Sequence, residues 1–224
     1  MENRSLRERL ADKYDDSALV RGLVQLIPAG IGSAIETAFL TLATNLRERR
    51  VERLFDALAN ENLTLTEDSV KNDEFIHKFL VTLAASARTN RKEKIDLFAA
   101  FLKNGSSIEV DADEFDELLL VLDELSLREF MVLEILDRHE RATPRVPGEN
   151  DLQHANLFWD SFQAEVVEKL GVPIDAFDPF MTRLVRTGTY ETFVGGYMDY
   201  TGGKGKLTPI YCRLKYLCTH GHSE

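Results

Sequence analysis

The stretch from Leu125 to Cys218 constrains this chain most, because its turn and periodicity signals come in an order that few folds accommodate. Apolar residues Leu127, Phe130, Met131, Val132, Leu133 and Leu136 recur mostly at threes and fours, which predicts a helix with one inward face. Ser126 followed by Glu129 has the form of a capping box and sets the start of that helix near Ser126. After a loop from Ala142 to Asp151 containing Pro144, Pro147 and Gly148, a second periodic run through Leu157, Phe158, Phe162, Val166 and Leu170 stops at Gly171, with Pro173 close behind. A third helix is expected over Asp175 to Tyr190, with Phe177, Phe180 and Leu184 inward and Arg183 and Arg186 together on the outer face. Phe193-Val194, Tyr197 to Tyr200, the turn Thr201 to Gly205 and Lys206-Leu207 then read as a hairpin. Pro209 opens a last helix carrying Ile210, Leu214 and Leu217.

Three helices, a hairpin and a closing helix make a winged-helix-like α+β domain. Such a scaffold hosts DNA readers and protein-docking modules alike, so function rests on the residues it displays. In DNA-binding folds of this type the third helix enters the major groove and the hairpin touches backbone, which makes Arg183, Arg186, Lys204 and Lys206 the candidate DNA contacts. Asp175, Asp178, Glu191 and Asp199 lie in the same region and oppose that reading. So does the formal net charge of −11: no global field draws in a phosphate backbone. Residues 173–224 are nearly balanced at 5 acids and 6 bases, whereas residues 1–123 hold 23 acids against 16 bases.

The front half reads as a helical bundle, with the boundary between an α-helical domain at 1–109 and the winged-helix-like domain at 110–224. Ile35, Phe39, Leu42, Leu46, Val51, Leu54, Phe55 and Leu58 follow helical spacing and predict one amphipathic helix of about 25 residues, of the kind that packs in bundles or self-associates. Helices are also expected over Phe75 to Ala87 and Arg91 to Lys103, the pair ending at Asn104-Gly105. Upstream, the run from Gly22 to Ile35 carries no charge, but Pro28 interrupts it and it is shorter than the roughly 20 residues a spanning helix needs. It reads as a buried helix and bend, or as a membrane-seeking element backed by Arg47, Arg49, Arg50 and Arg53. On either reading Ile31, Ile35, Phe39 and Leu42 are the candidate oligomer or membrane contacts.

No catalytic signature is present: neither a phosphate-binding glycine loop, nor G-x-S-x-G, nor H-E-x-x-H occurs. Asp111, Asp113, Glu114, Asp116 and Glu117 suit a helix start better than a calcium loop, which needs a glycine at its sixth position. Cys212, Cys218, His220 and His222 are the one set with soft-metal chemistry, against which stands the ease with which cysteine is buried as a small apolar residue. No cofactor is expected. The charged N-terminus and the two cysteines point to a cytoplasmic setting, with membrane association as the alternative.

The helix Thr89 to Leu102, the run Glu124 to Leu133 and Lys206-Leu207-Thr208-Pro209 resemble bacterial proteins of the abortive-infection alpha family. Those proteins are similar in having a helical front part and a winged-helix-like end, and the resemblance implies a role in phage resistance. Ile210 stands where the family has a glycine, and no catalytic residue carries over. The expected function is that of a non-enzymatic interaction or regulatory protein that associates with itself and docks a protein partner. The alternatives are a winged-helix DNA-binding regulator and a membrane-acting effector working through residues 22–46.

Overall fold

A computed structural model describes residues 6–13, 38–60, 72–107, 110–193 and 203–219, with side chains in the second of these described from 45 to 59. Over those residues the protein is mainly helical, with one small two-stranded antiparallel sheet. The chain divides into two compact units, Met1–Leu120 together with Tyr216–Glu224, and Val121–Lys215. The sequence reading put the boundary at Glu109 and Val110 instead. Two links hold the flanking residues to the first unit: the Phe115 ring packs 4.7 Å from Phe101, and Asn104 Nδ2 donates to the Leu217 carbonyl.

The first unit is built from α1 (Leu6–Lys13), α2 (Ala38–Asn60), α3 (Asp73–Arg88), α4 (Lys92–Ser107) and the start of α5 (Ala112–Glu124). The 23 residues of α2 match the long helix read from the apolar spacing. Its stripe of Val51, Leu54, Phe55 and Leu58 is buried, with Phe55 edge-on to Phe79 of α3. Intramolecular packing thus covers this stretch of the apolar stripe, whereas Leu46 nearer the head of the helix is exposed. Asn72 caps α3, accepting from the amides of Glu74 and Phe75. Asp111 does the same for α5 by accepting from the Glu114 amide, so the acidic run serves a helix N-terminus as its spacing implied. Lys78 is buried and donates to the carbonyls of Gly105 and Val110 while pairing with Glu74. α4 continues to Ser107, past the expected stop at Asn104-Gly105.

The second unit holds the end of α5, α6 (Leu127–Ala142), α7 (Asp151–Leu170), α8 (Phe177–Leu184), β1 (Tyr190–Thr192), β2 (Gly205–Leu207) and most of α9 (Pro209–Thr219). The Ser126/Glu129 capping box forms at the head of α6. An unanticipated one, Asn150 with Gln153, starts α7. Gly171 ends α7 in the left-handed conformation at φ 61°, which costs a glycine no side-chain clash. Trp159, Phe162 and Phe177 pack edge to face at the centre of this unit.

The third helix is shorter than the sequence implied: single 3-10 turns, Ile174–Ala176 and Val185–Thr187, flank α8, and Gly188 at φ 69° closes the second of them. Its inward residues are Phe177, Met181 and Leu184, so Met181 takes the place expected of Phe180. The hairpin register pairs Tyr190 with Leu207, Glu191 with Lys206 and Thr192 with Gly205. Its first strand therefore lies earlier than Phe193-Val194, although the Phe193 amide extends the ladder by donating to the Lys204 carbonyl. Val194, Tyr197 to Tyr200 and Thr201-Gly202 lie outside the described residues.

Candidate functional site in the C-terminal unit

Arg183 in the last turn of α8 and Arg186 in the 3-10 turn that follows do stand together, but they converge on an acid of their own chain. Arg183 Nε donates to Glu129 Oε1 at 3.1 Å and Arg186 Nη1 to the same oxygen at 2.7 Å. Arg186 also donates to the carbonyls of Arg183 and Glu124, and Arg183 stacks over the Phe180 ring. Glu129 is only 2% exposed. Burial alone pushes its carboxyl up, yet the bond from Arg186, the bonds at Ser126 and the charge of Arg186 together hold it down at about 2. One carboxylate thus serves both as a helix cap and as the counter-charge of two guanidinium groups.

The hairpin bases are committed in the same way. Lys206 Nζ pairs with Asp151 at 2.9 Å and Glu191 at 3.1 Å, and Lys204 Nζ donates to Asn156 Oδ1 at 2.7 Å. All four candidate DNA contacts therefore have intramolecular acceptors, which a phosphate would have to displace. The sequence signal available was the nearby acids; Glu129, 54 residues before Arg183, gave no local hint of its role.

A second feature of this unit is an open groove of about 400 Å³ lined by α6, α7 and α9. Its lining is mixed: the apolar Met131, Ile135 and Leu170 stand beside Glu134, Arg138, Glu165, Lys169 and Lys215. Glu165 binds Arg138, Lys169 and His139 together, and these three bonds, that of Arg138 foremost, hold its carboxyl at about 2. Glu134 is half-buried; burial pushes its carboxyl up and the nearby charge of Lys215 pulls it back in part. Lys215 itself is bonded to the buried Asp137. Met131, Glu134, Ile135 and Arg138 recur at helical spacing, but the groove needs α7 and α9 beside them, which no local pattern announces.

Other candidates are dispersed. In α9, Cys212 is exposed and Cys218 buried; His220 and His222 lie outside the described residues. Among the described residues no group of three or more metal-binding side chains comes together. His77 is a surface residue of α3 paired with Asp116 at 2.9 Å. Ile31 and Ile35 lie outside the described residues, as do the side chains of Phe39 and Leu42 in α2. No helix among the described residues is long and apolar enough to cross a membrane. Compared with known proteins, the chain matches no family model, no curated protein and no solved structure.

Proposed function

We propose that the protein is a non-enzymatic contact protein whose C-terminal unit docks on a protein surface, a second copy of this chain included, through the groove between α6 and α7. The observation that carries this reading is the pairing of Arg183, Arg186 and Lys206 with Glu129, Asp151 and Glu191. With its bases neutralised from within, the face built from α8 and the hairpin offers little net charge to a phosphate backbone, whose binding rests on releasing counterions. The groove offers a helix-in-groove contact apolar side chains interleaved with charges that would fix its register. The order α6, α7, α8, hairpin, α9 supports the winged-helix-like reading of this unit. A role in phage resistance belongs to the same proposal through the resemblance of residues 89–102, 124–133 and 206–209.

Light scattering combined with size exclusion tests the association. The expected result is a mass above the 25.4 kDa of one chain, falling back to it in Met131→Asp, which places a charge on an apolar part of the groove lining. Monomer at every concentration removes self-association. The DNA-regulator alternative predicts salt-dependent duplex binding that disappears in Arg183→Ala with Lys204→Ala.

A further inference from the structure

Helix α2 sorts its charges by face. Glu48, Glu52 and Asp56 recur at every fourth residue and meet α1: Arg9 Nη2 donates to Glu48 at 2.7 Å and to Glu52 at 2.9 Å, and Lys13 Nζ pairs with Asp56 at 2.7 Å. The bases turn elsewhere. Arg50 Nη1 donates to the Ala87 carbonyl at 3.0 Å, and Arg53 Nη2 bonds Asp96 Oδ2 at 2.6 Å.

These contacts fix the registers. Arg50 meets Ala87 while Phe55 meets Phe79, so α2 and α3 run antiparallel. The same end of α2 therefore lies beside the turn from α3 to α4, where Arg88, Arg91 and Lys92 are exposed. Arg47 and Arg49, also exposed, belong to this end of α2 as well. Chain folding thus gathers seven bases from two sequence stretches at one end of the bundle. The acids among them are Glu48 and Glu52, both paired with Arg9, Asp96, paired with Arg53, and Glu93, in a chain whose net charge is −11. The sequence alone showed only the four arginines of α2.

We propose that this basic end of the N-terminal bundle docks on an anionic lipid surface. Residues 38–46, the first nine of α2, carry no charge and lead directly into Arg47. An uncharged helical segment followed on the same axis by bases matches the layering of a membrane interface, with apolar matter below and phosphates above. Single-stranded nucleic acid, the competing polyanion, is held by bases stacking on aromatic rings. Neither residues 45–53 nor residues 88–93 contain an aromatic side chain. The contact is peripheral and reversible: each base near an anionic surface strengthens partition by roughly 5-fold, the equivalent of about 1 kcal/mol.

The test is co-flotation of the full chain with vesicles of phosphatidylserine and phosphatidylcholine, and with phosphatidylcholine alone, at low and high salt. The expected result is binding to the anionic vesicles at low salt only, weakened by roughly 100-fold in the triple variant Arg49→Gln, Arg91→Gln, Lys92→Gln, since three bases are removed. These side chains are exposed, so an unchanged circular dichroism melt confirms that folding is intact. The proposal is overturned if the wild type stays with the soluble fraction at low salt, if both vesicle types bind equally, or if the triple variant floats like the wild type. A single-stranded oligonucleotide that binds more tightly than the anionic vesicles and needs the same three residues overturns the lipid assignment.

Discussion

Replacing Glu129 with glutamine removes the charge at the meeting point of α6 and α8 while keeping an acceptor for the Ser126 amide. The carboxyl is held at about 2 against its usual 4.5. At about 1.4 kcal/mol per unit that depression is worth roughly 3 kcal/mol to the folded state. The larger penalty of stranding a buried charge is not incurred, because Arg183 and Arg186 are 56% and 41% exposed and can turn to water. A loss of about 2–3 kcal/mol at neutral pH is therefore expected. The depressed carboxyl also sets the pH dependence: its contribution is complete above the unfolded value of 4.5 and is lost as pH falls toward about 2. Wild type and Glu129→Gln should accordingly differ fully at pH 7 and converge in acid. Trp159, the single tryptophan, is buried in α7 beside Phe177 of α8, so urea unfolding followed by its fluorescence reads this unit directly. A difference below about 0.5 kcal/mol at pH 7, the size of an ordinary surface substitution, refutes the reasoning. So does a gap that stays constant from neutral pH down to acid.

Lys78→Met leaves the Gly105 and Val110 carbonyls without their buried donor, and a loss of roughly 2–4 kcal/mol in thermal or urea unfolding is expected. Gly205→Ala drives a Cβ into the Glu191 carbonyl and the Tyr190 ring; the hairpin should open, which amide exchange at Glu191 and Phe193 would register as lost protection. Labelled duplex DNA should show no saturable anisotropy change with the wild type at low salt, and a salt-dependent rise abolished by Arg183→Ala with Lys204→Ala would restore the DNA reading.

What could be read in the sequence was what neighbouring residues decide. Ser126 with Glu129, Gly171 with Pro173, and Pro209 fixed helix ends because caps act within one turn. The apolar spacing of α2 gave its length, but not that α3 and α4 would cover the face, since an amphipathic stripe looks the same whether its partner is its own chain or another. Pairings across tens of residues left no local trace: Glu129 with Arg186, Asp137 with Lys215, and Arg50 with the Ala87 carbonyl. Helical spacing groups Arg183 with Arg186; what that spacing cannot register is an acid arriving from α6 to claim both. The apolar pattern of the third helix continues through Val185, whereas the backbone tightens into a 3-10 turn before Gly188, so spacing alone overstates the length of that helix.

Self-association rests on the α6–α7 groove as a surface for contact. Molar mass by light scattering, measured over a range of concentrations for the wild type and for Met131→Asp, tests it most directly. The wild-type mass should rise above 25.4 kDa with concentration, and the variant should stay there. A wild type fixed at the single-chain mass, or a variant that associates as the wild type does, rules out self-association through this groove.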